Sequence, residues 1–388
     1  MNIHRENSLG IYIHIPFCEK KCEYCDFLSF PSQNKLMDQY MEALIDEIAE
    51  RKYHVNQRVA TVFFGGGTPS LIEGQWIEKV MKALRERFYF WEDVEITLEI
   101  NPGTVTYDKF MCYQKAGVNR LSIGLQSTMN EELKVLGRIH TYEKFLESYH
   151  LARDMGFTNI NIDLMAALPG QTVESYRTSL QRVAQLHPEH ISAYSLIIEE
   201  GTPFYDFYGK DAIRREEGKE TTLLPSEEEE RSMYYDTKRI LKEYGYERYE
   251  ISNYSLKGRE SKHNTCNWRR WNYIGYGLGS SGLLDHQRLK NTDDINQYIK
   301  GNWIGEVLDL SKNEEMEEFM FLGLRMIEGI KEEEFIKEFQ CTIDQVFGKN
   351  LERLIEEELI IRKDGCISLS EKGIDLSNYV LSEFLIDE

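Results

Sequence analysis

The 388-residue chain has no apolar run of membrane-spanning length, and its first residues contain no apolar signal core. A transmembrane helix needs about 20 consecutive, mainly apolar residues, and a secretory signal needs an apolar stretch of about 7–15 residues. We therefore expect neither an integral membrane protein nor a secreted one. In a reducing cytosol, thiols ligate metals or clusters rather than form disulfides. The expected location is cytoplasmic.

The chain also lacks an excess of positively charged residues. The chain has 46 Lys and Arg against 66 Asp and Glu, which gives a net charge of −20. Residues 310–388 alone contain 9 Lys and Arg against 20 Asp and Glu, a net of −11. Phosphate backbones attract cationic surfaces, so no nucleic-acid partner is expected. The chain has no repeat longer than a strand–helix unit and no low-complexity tract, and its 41% hydrophobic content is typical of a folded protein.

Three of the seven cysteines lie together, and the other four lie singly. Cys18, Cys22 and Cys25 form a C-x3-C-x2-C motif directly after an apolar, β-rich run at 10–17. Three thiolates from one loop can hold three irons of a [4Fe–4S] cube and leave the fourth iron open. A structural zinc ion normally takes four ligands, and no second Cys or His pair at zinc spacing follows. A chance grouping of three cysteines is the alternative.

Six predicted strands alternate with helices through the first half of the chain, a pattern typical of parallel βαβ units. A closed eight-stranded barrel needs two more strands, so an open partial barrel or a doubly wound sheet fits the pattern. Glycines or polar residues follow the strands, where barrel active sites lie. The predicted strands cover residues 12–16, 60–64, 94–99, 119–126, 159–165 and 191–196.

The rest of the chain divides at a predicted boundary near residues 309–313. The acidic segment 216–230 lacks apolar periodicity and is predicted to be a solvated insertion before a helix at 234–244. Beyond residue 310, three helices and a hairpin around Asp364-Gly365 predict a winged-helix-like α+β domain. We predict domains at 1–205 and 310–388, joined by a barrel-completing region at 206–309.

The cysteine motif, with Tyr24 before its last ligand, resembles the radical S-adenosylmethionine (SAM) superfamily. The wider segment from Tyr12 to Phe27 resembles the coproporphyrinogen dehydrogenase branch of that superfamily. The resemblance extends over about residues 10–380 and is strongest over the first 200. It implies a partial (β/α)6 barrel, a [4Fe–4S] cluster held by Cys18, Cys22 and Cys25, and SAM on the open iron.

The resemblance also implies a SAM pocket, residue by residue. The glycine-rich turn after the second strand would approach the SAM amino group, Glu99 would bond the ribose hydroxyls, and Arg138 would pair with the SAM carboxylate. Taken singly, Glu99 or Asp163 could cap a helix and Arg138 could form a surface ion pair. The predicted SAM-binding residues are Tyr12, Gly66, Gly67, Thr68, Glu99, Gln126, Arg138 and Asp163.

His263 is the predicted heme contact. The segment His263-Asn264 to Trp268 resembles a His-Asn-x-x-Tyr-Trp motif of the branch, although Asn267 stands where the family has tyrosine. Imidazole is a common axial ligand of heme iron, and Trp268 could pack on the macrocycle. For His14, which pairs with Tyr12 in the motif of the branch, a core histidine on an alternating strand is the competing interpretation.

Phe27 stands where porphyrinogen-oxidising relatives carry a fourth cysteine. Its presence resembles the heme-chaperone members of the branch and argues against coproporphyrinogen III dehydrogenation. The resemblance then implies a cytoplasmic protein, with any membrane association peripheral, that binds heme and delivers it to membrane hemoproteins such as respiratory enzymes. An electron donor is a further expected partner, and the oligomeric state stays open.

Two other functions compete with this hypothesis. One is a radical SAM enzyme, a methyltransferase or porphyrin-modifying enzyme, that generates a 5′-deoxyadenosyl radical. The other is a cluster-bearing regulator that uses the winged-helix-like domain, which the acidic charge of residues 310–388 opposes. Heme binding without turnover favours the chaperone, whereas repeated release of 5′-deoxyadenosine favours the enzyme.

Overall fold

The computed structural model of the protein describes residues 7–53 and 55–386. Strands and helices alternate through the first part of the chain, as the pattern predicts, with a short 3₁₀ turn at Pro69–Leu71. The elements are β1 (Ser8–Ile15), β2 (Phe17–Cys18), β3 (Phe30–Pro31), α1 (Asn34–Glu50), β4 (Arg58–Gly66), α2 (Gly74–Arg87), β5 (Phe90–Ile100), α3 (Tyr107–Ala116), β6 (Arg120–Gln126), α4 (Asn130–Val135), α5 (Tyr142–Asp154), β7 (Ile160–Ala166), α6 (Val173–Gln185) and β8 (His190–Ser195).

The following region adds helices and strands to the same body. Its elements are α7 (Pro203–Glu216), α8 (Glu227–Glu243), β9 (Glu247–Arg248), β10 (Asn253–Ser255), α9 (Lys262–Trp268), β11 (Tyr273–Tyr276), β12 (Ser281–Leu284), β13 (Gln287–Asn291), α10 (Ile295–Ile299) and β14 (Ile304–Asp309).

One twelve-stranded sheet contains all the long strands of both groups. Its order is β14-β13-β12-β11-β1-β4-β5-β6-β7-β8-β10-β9. The six predicted strands are its parallel centre, and β11 extends the parallel run on the far side of β1. The order has two ends, so the sheet is open. The prediction of a partial barrel rather than a closed one is confirmed.

Alternation along β1 shows how the sequence builds this barrel. Leu9, Ile11 and Ile13 are fully buried in the main core, whereas the ring of Tyr12, between them, stacks on Phe63 of the neighbouring strand. Successive strand residues point to opposite faces, so one face packs beneath the helices and the other lines the barrel. Each buried large apolar side chain contributes about 1.5–3 kcal/mol of transfer free energy.

The acidic insertion is more ordered than the sequence pattern predicts. Helix α8 begins at Glu227, seven residues before the predicted start at Tyr234. Ser226 accepts a hydrogen bond from the backbone of Glu229, whose side chain bonds back to Ser226 in a capping box. The negative charges of four glutamates in the first turn also interact favourably with the positive end of the helix dipole. Capping and charge therefore extend this helix where apolar periodicity is missing.

Two further predictions in this region differ from the structure. The predicted strand at 246–253 is two short strands, β9 and β10. The helix α7 lies at Pro203–Glu216, where no helix was predicted; Thr202 caps it and proline occupies its first turn.

The C-terminal region folds around its own core of buried side chains. Its three longest helices are packed with a small antiparallel sheet of order β15-β17-β16, as expected for a winged-helix-like domain. Across the described residues, no helix has the length and apolarity needed to cross a membrane. The elements are α11 (Lys312–Gly323), β15 (Ile330–Lys331), α12 (Glu332–Phe339), α13 (Ile343–Glu356), β16 (Ile360–Lys363), β17 (Cys366–Leu369), α14 (Glu371–Asp375) and α15 (Ser377–Ser382).

Candidate cluster and cofactor site

The cysteine loop leaves the barrel at the carboxyl end of β1. Its two ends are joined by a short parallel pairing, in which Phe17 lies opposite Phe30 and Cys18 opposite Pro31. Within the loop, the backbone amide of Cys25 donates to the carbonyl of Cys22 over 3.2 Å. The pairing and the turn hold all three cysteines in one compact loop above the barrel.

A chain of hydrogen bonds joins two of the cysteines through Asn101 and two residues of the predicted SAM pocket. The Thr68 hydroxyl donates to the Sγ atom of Cys18 over 3.6 Å, and the Asn101 side-chain amide donates to that hydroxyl over 2.8 Å. One Arg138 nitrogen donates to Asn101 over 3.0 Å, and another donates to the Sγ atom of Cys22 over 3.7 Å. Donors to sulfur stabilise a thiolate, so this chain suits cluster ligands.

The glycines after β4 are required by close packing. A Cβ atom on Gly66, whose φ is +117°, would lie 2.7 Å from the His14 ring. A Cβ atom on Gly67 would lie 2.7 Å from the Phe17 carbonyl oxygen and 3.0 Å from the Sγ atom of Cys18. Only glycine lets the backbone approach this closely. The turn therefore lies directly against the first cluster cysteine.

Tyr12 and His14 connect the barrel interior to the cysteine loop. The Tyr12 hydroxyl donates to His14 Nδ1 over 3.1 Å, and His14 Nε2 donates to the carbonyl of Leu28 over 3.0 Å. Burial lowers the pKa of His14, so the ring is neutral and can accept at one nitrogen while donating at the other. The side chains of Tyr12 and His14 therefore support the cysteine loop.

Two carboxyl groups face the barrel interior beneath the loop. The backbone amide of Gly66 donates to Glu99 over 3.2 Å, and the Asn161 amide donates to Asp163 over 2.7 Å. Burial, together with the charge of Asp163, raises the pKa of Glu99 to about 8. Burial also raises the pKa of Asp163. Two half-buried acids that resist ionisation suit a ligand that presents hydroxyl groups.

Gln126 completes the group of predicted SAM residues. It ends β6 with φ at +73°, and the Tyr194 hydroxyl lies 3.5 Å from its side-chain oxygen. Burial, then the charge of Asp163, raises the pKa of Tyr194. The structure therefore brings all eight predicted SAM residues to the carboxyl end of the parallel strands.

The donor set fits an iron–sulfur cluster with SAM, because three thiolates from one loop can hold three irons of a [4Fe–4S] cube. Among the described residues, no group of three His, Cys, Asp or Glu side chains is already arranged around one metal ion. Arg138 is half-buried, and its buried Nε atom has no hydrogen-bond partner in the described structure, which suits a ligand carboxylate. Burial raises the pKa of Cys25 to about 11, so cluster assembly would displace its proton.

His263 lies deeper in the barrel interior than this site, with the ring of Phe63 between it and Tyr12. Its backbone amide donates to Glu95 over 3.1 Å, and Glu95 precedes Glu99 by four residues, about 13 Å along a strand. The His263 ring is 4% exposed, contacts the Thr61 hydroxyl at 2.9 Å and stacks on Phe63. Burial, then the charge of Arg120, lowers the pKa of His263 to about 3.

Asn101 and Tyr194 are site residues that sequence reasoning did not single out. Asn101 directly follows β5 and joins Thr68 to Arg138. The rule that selected Glu99, a polar residue where a strand ends, would also have selected Asn101. Tyr194 near the end of β8 gave no comparable signal, because a tyrosine in a strand is ordinary core material.

Comparison with known proteins identifies the family. A model described as "Radical SAM superfamily" matches residues 12–183, and one described as "HemN C-terminal domain" matches residues 310–376. A protein named heme chaperone HemW from Lactococcus lactis is 36% identical, covering 97% of each chain. The Bacillus subtilis protein of the same name is 35% identical, covering 96% of this chain and 98% of its own.

Solved structures agree on the fold. The coproporphyrinogen III oxidase HemN from Escherichia coli superposes with a TM-score of 0.83 at 24% identity, covering 99% of this chain and 91% of the other. The similarity to the two chaperones is higher in sequence and extends over nearly the whole length of both chains. The chain therefore belongs to the radical SAM superfamily and, within it, to the HemW family.

Proposed function

We propose that this protein is a heme chaperone that binds a [4Fe–4S] cluster, SAM and heme and delivers heme to membrane hemoproteins. The observation that carries the proposal is 36% identity, over 97% of both chains, to a protein named heme chaperone HemW. In this proposal the protein works in the cytoplasm, meets the membrane only peripherally, and receives electrons from a separate donor.

The cluster would be held by Cys18, Cys22 and Cys25, and it supplies an open iron and one-electron chemistry when bound. Arg138 would orient the SAM carboxylate, because its guanidinium is already fixed by the Gly124 carbonyl at 2.5 Å and by Asn101. The role of this chain is to hold SAM in one orientation beneath the loop.

Phe27 supports a chaperone rather than a coproporphyrinogen III dehydrogenase. Its side chain is 62% exposed in the cysteine loop, at the place where porphyrinogen-oxidising relatives carry a fourth cysteine. A phenyl ring can neither ligate a metal nor carry a proton. We therefore expect no conversion of coproporphyrinogen III.

The proposed contact of His263 with heme would require a change in the structure. The imidazole is buried against Thr61 and Phe63, and the backbone amides of Lys262 and His263 both donate to Glu95. Heme would reach the ring only after α9 separates from the barrel. Such a ligand would act in a loading or release step rather than in the closed conformation described here.

A SAM-cleaving enzyme is the second candidate. The grouping of Glu99, Asp163 and Arg138 beneath the cysteine loop favours it, because a complete SAM pocket is what cleavage needs. The two candidates differ in turnover, since a chaperone retains heme whereas an enzyme releases 5′-deoxyadenosine repeatedly with its substrate.

The test is anaerobic reconstitution with iron, sulfide and SAM, followed by a heme titration and assays of 5′-deoxyadenosine and of coproporphyrinogen III consumption. We expect saturable heme binding, with neither repeated SAM cleavage nor consumption of the porphyrinogen. Absence of heme binding by a protein with a full cluster would overturn the chaperone proposal. In the same titration, an unchanged Soret spectrum for His263→Ala would remove this histidine from the heme site.

A further inference from the structure

A large cavity lies between the base of the barrel and the C-terminal domain, away from the cluster site. Its volume is about 910 Å³, within the roughly 300–1,000 Å³ of typical cofactor pockets. The segment after α9 forms one wall and the C-terminal domain forms the other. The residues that characterise these walls are Trp268, Arg269, Trp271, Phe319, Lys331 and Cys366.

Aromatic side chains give this cavity flat apolar surfaces. Trp268 and Trp271 contribute two indoles, and Phe319 contributes a ring from the opposite wall. The Arg325 guanidinium lies 4.3 Å from the Trp268 ring centre, so that indole is held in place. Its Nε1 atom is buried without a hydrogen-bond partner among the described residues. The cavity is suited to a large planar ligand that carries polar substituents.

Basic and acidic side chains both line the cavity, with Glu328, Glu334 and Glu338 beside the cations. Arg270 is 4% exposed and is surrounded by Glu315, Glu318 and Glu338, at 3.0, 2.8 and 3.1 Å. Within residues 7–53 and 55–386, the ion-pair partner of Lys331 is Glu334, at 3.8 Å, and both side chains are more than half exposed. An exposed pair at that distance is weak, so the Lys331 ammonium can turn to a ligand carboxylate.

Cys366 lies beside that lysine. Strands β15 and β17 pair Lys331 directly with Cys366, so their side chains project from the same face of the small sheet and both line the cavity. Cys366 is a free, half-buried thiol. A cysteine thiolate is one of the protein ligands that coordinate heme iron. A metal ligand, a cation and flat aromatic walls therefore meet in one cavity.

We propose that this interdomain cavity binds heme or a similar planar metalloporphyrin dicarboxylate, with Cys366 coordinating the iron, Lys331 pairing with a carboxylate and Trp271 packing on the ring. The proposal rests on the proposed heme function and gives it a location. This location differs from the His263 site. His263 is buried inside the barrel, whereas heme could enter the cavity without the separation of α9 from the barrel. Heme would then contact both domains.

The experiment is a heme titration of the reconstituted full chain, followed by alkylation of cysteines and tryptic mapping. Trypsin isolates Cys366 in the peptide 364–372 and Cys341 in the peptide 338–349. Cys341 is the matched control, because it lies in the same domain, contacts Met316 at 4.0 Å and does not line the cavity. Heme should protect Cys366 from alkylation and leave the modification of Cys341 unchanged.

Variants separate this proposal from the chaperone proposal itself. Cys366→Ala should shift the Soret band and, like Lys331→Glu, weaken heme binding about tenfold or more, while Cys341→Ala should bind as the wild type does. Wild-type binding by both cavity variants, with no protection of Cys366, would overturn the location and leave the chaperone function standing. Absence of binding by the wild type would overturn the chaperone proposal. Trp271→Ala tests the cavity without changing the proposed iron ligand. This variant should bind heme more weakly, with an unshifted Soret band.

Discussion

At the scale of single residues, Arg138 connects the cluster loop to the SAM pocket. Its guanidinium contacts the Cys22 sulfur, the Gly124 carbonyl and the Asn101 side chain, and its Nε atom is unpartnered in the described structure. Substituting Arg138 would therefore disturb the loop as well as SAM. Asp163, which touches no cysteine in any described contact, is the cleaner probe of the pocket.

We predict that Asp163→Asn weakens SAM binding and leaves the cluster intact. A hydrogen bond to a charged group contributes about 1.5–3 kcal/mol, so the affinity should fall about tenfold to hundredfold. The measurement is SAM binding by anaerobic calorimetry, with iron content determined on the same sample. Asp154→Asn, on the exposed end of α5, is the control that should change neither. Wild-type affinity in Asp163→Asn would show that the pocket lies elsewhere.

Glu99 gives a prediction of pH dependence. Its pKa rises from 4.5 to about 8 in the folded protein, so between these values the native state holds a proton that the unfolded state has lost. Stability without ligands should therefore fall as pH increases from about 5 to 8. Over this pH range, the free energy of unfolding of Glu99→Gln should fall by on the order of 1–2 kcal/mol less than that of the wild type.

Urea unfolding of the cluster-free protein at pH 5.5 and pH 8 measures this effect. The exposed residue Glu86 supplies the matched control, since Glu86→Gln should retain the full wild-type difference between the two pH values. A Glu99→Gln variant with that same difference would contradict a half-buried, protonated Glu99. Asp163, whose pKa is also raised, accounts for the part of the decrease that remains.

At the scale of elements, the cysteine loop and the glycine turn after β4 act as one unit. The turn approaches Cys18 so closely that a methyl group on Gly67 would meet both Phe17 and the cysteine sulfur. The loop is short enough for the sequence alone to place its three thiolates together. The backbone that supports it comes from the next strand of the sheet.

We predict about four irons in the reconstituted protein and a loss of the cluster on substituting Cys18, Cys22 or Cys25 with Ala. Gly67→Ala should also lower cluster occupancy at least severalfold, because its Cβ atom would lie 3.0 Å from the Cys18 sulfur. Iron, sulfide and charge-transfer absorbance measure occupancy. Cys112→Ala and Gly348→Ala, where the nearest atom lies 3.8 Å away, are controls. A full cluster after loss of two loop cysteines would refute the assignment.

At the scale of the whole molecule, Arg270 joins the two domains. It belongs to the segment after α9, and its three acidic partners belong to α11 and α12 of the C-terminal domain. A buried charge is stable only when it is well paired. The same segment forms one wall of the interdomain cavity, so domain contact and cavity shape depend on it together.

We predict that Arg270→Ala destabilises the protein by about 3–5 kcal/mol, because it removes the buried cation that three glutamates share; of the three, Glu318 keeps Arg288 as a partner. The C-terminal domain should separate first, seen as a second unfolding transition and as faster proteolysis near residue 310. Arg353→Ala removes an exposed ion pair with Glu383 inside that domain and should cost less than about 1 kcal/mol. Equal stability losses in the two variants would contradict the role of Arg270.

The sequence by itself determined the features that are local in the chain. The three predicted cluster ligands lie within eight residues, and the six central strands follow from short apolar runs, so both could be predicted without long-range contacts. Only the tertiary structure decided which distant residues meet. Asn101 joins Thr68 to Arg138 because three strands end at one edge of the sheet. His263 and Trp268, neighbours in one motif, separate because α9 directs the histidine into the barrel and the tryptophan towards the cavity. Side-chain direction on a helix, and the packing of one domain on another, depend on contacts between residues hundreds of positions apart, which no local pattern encodes.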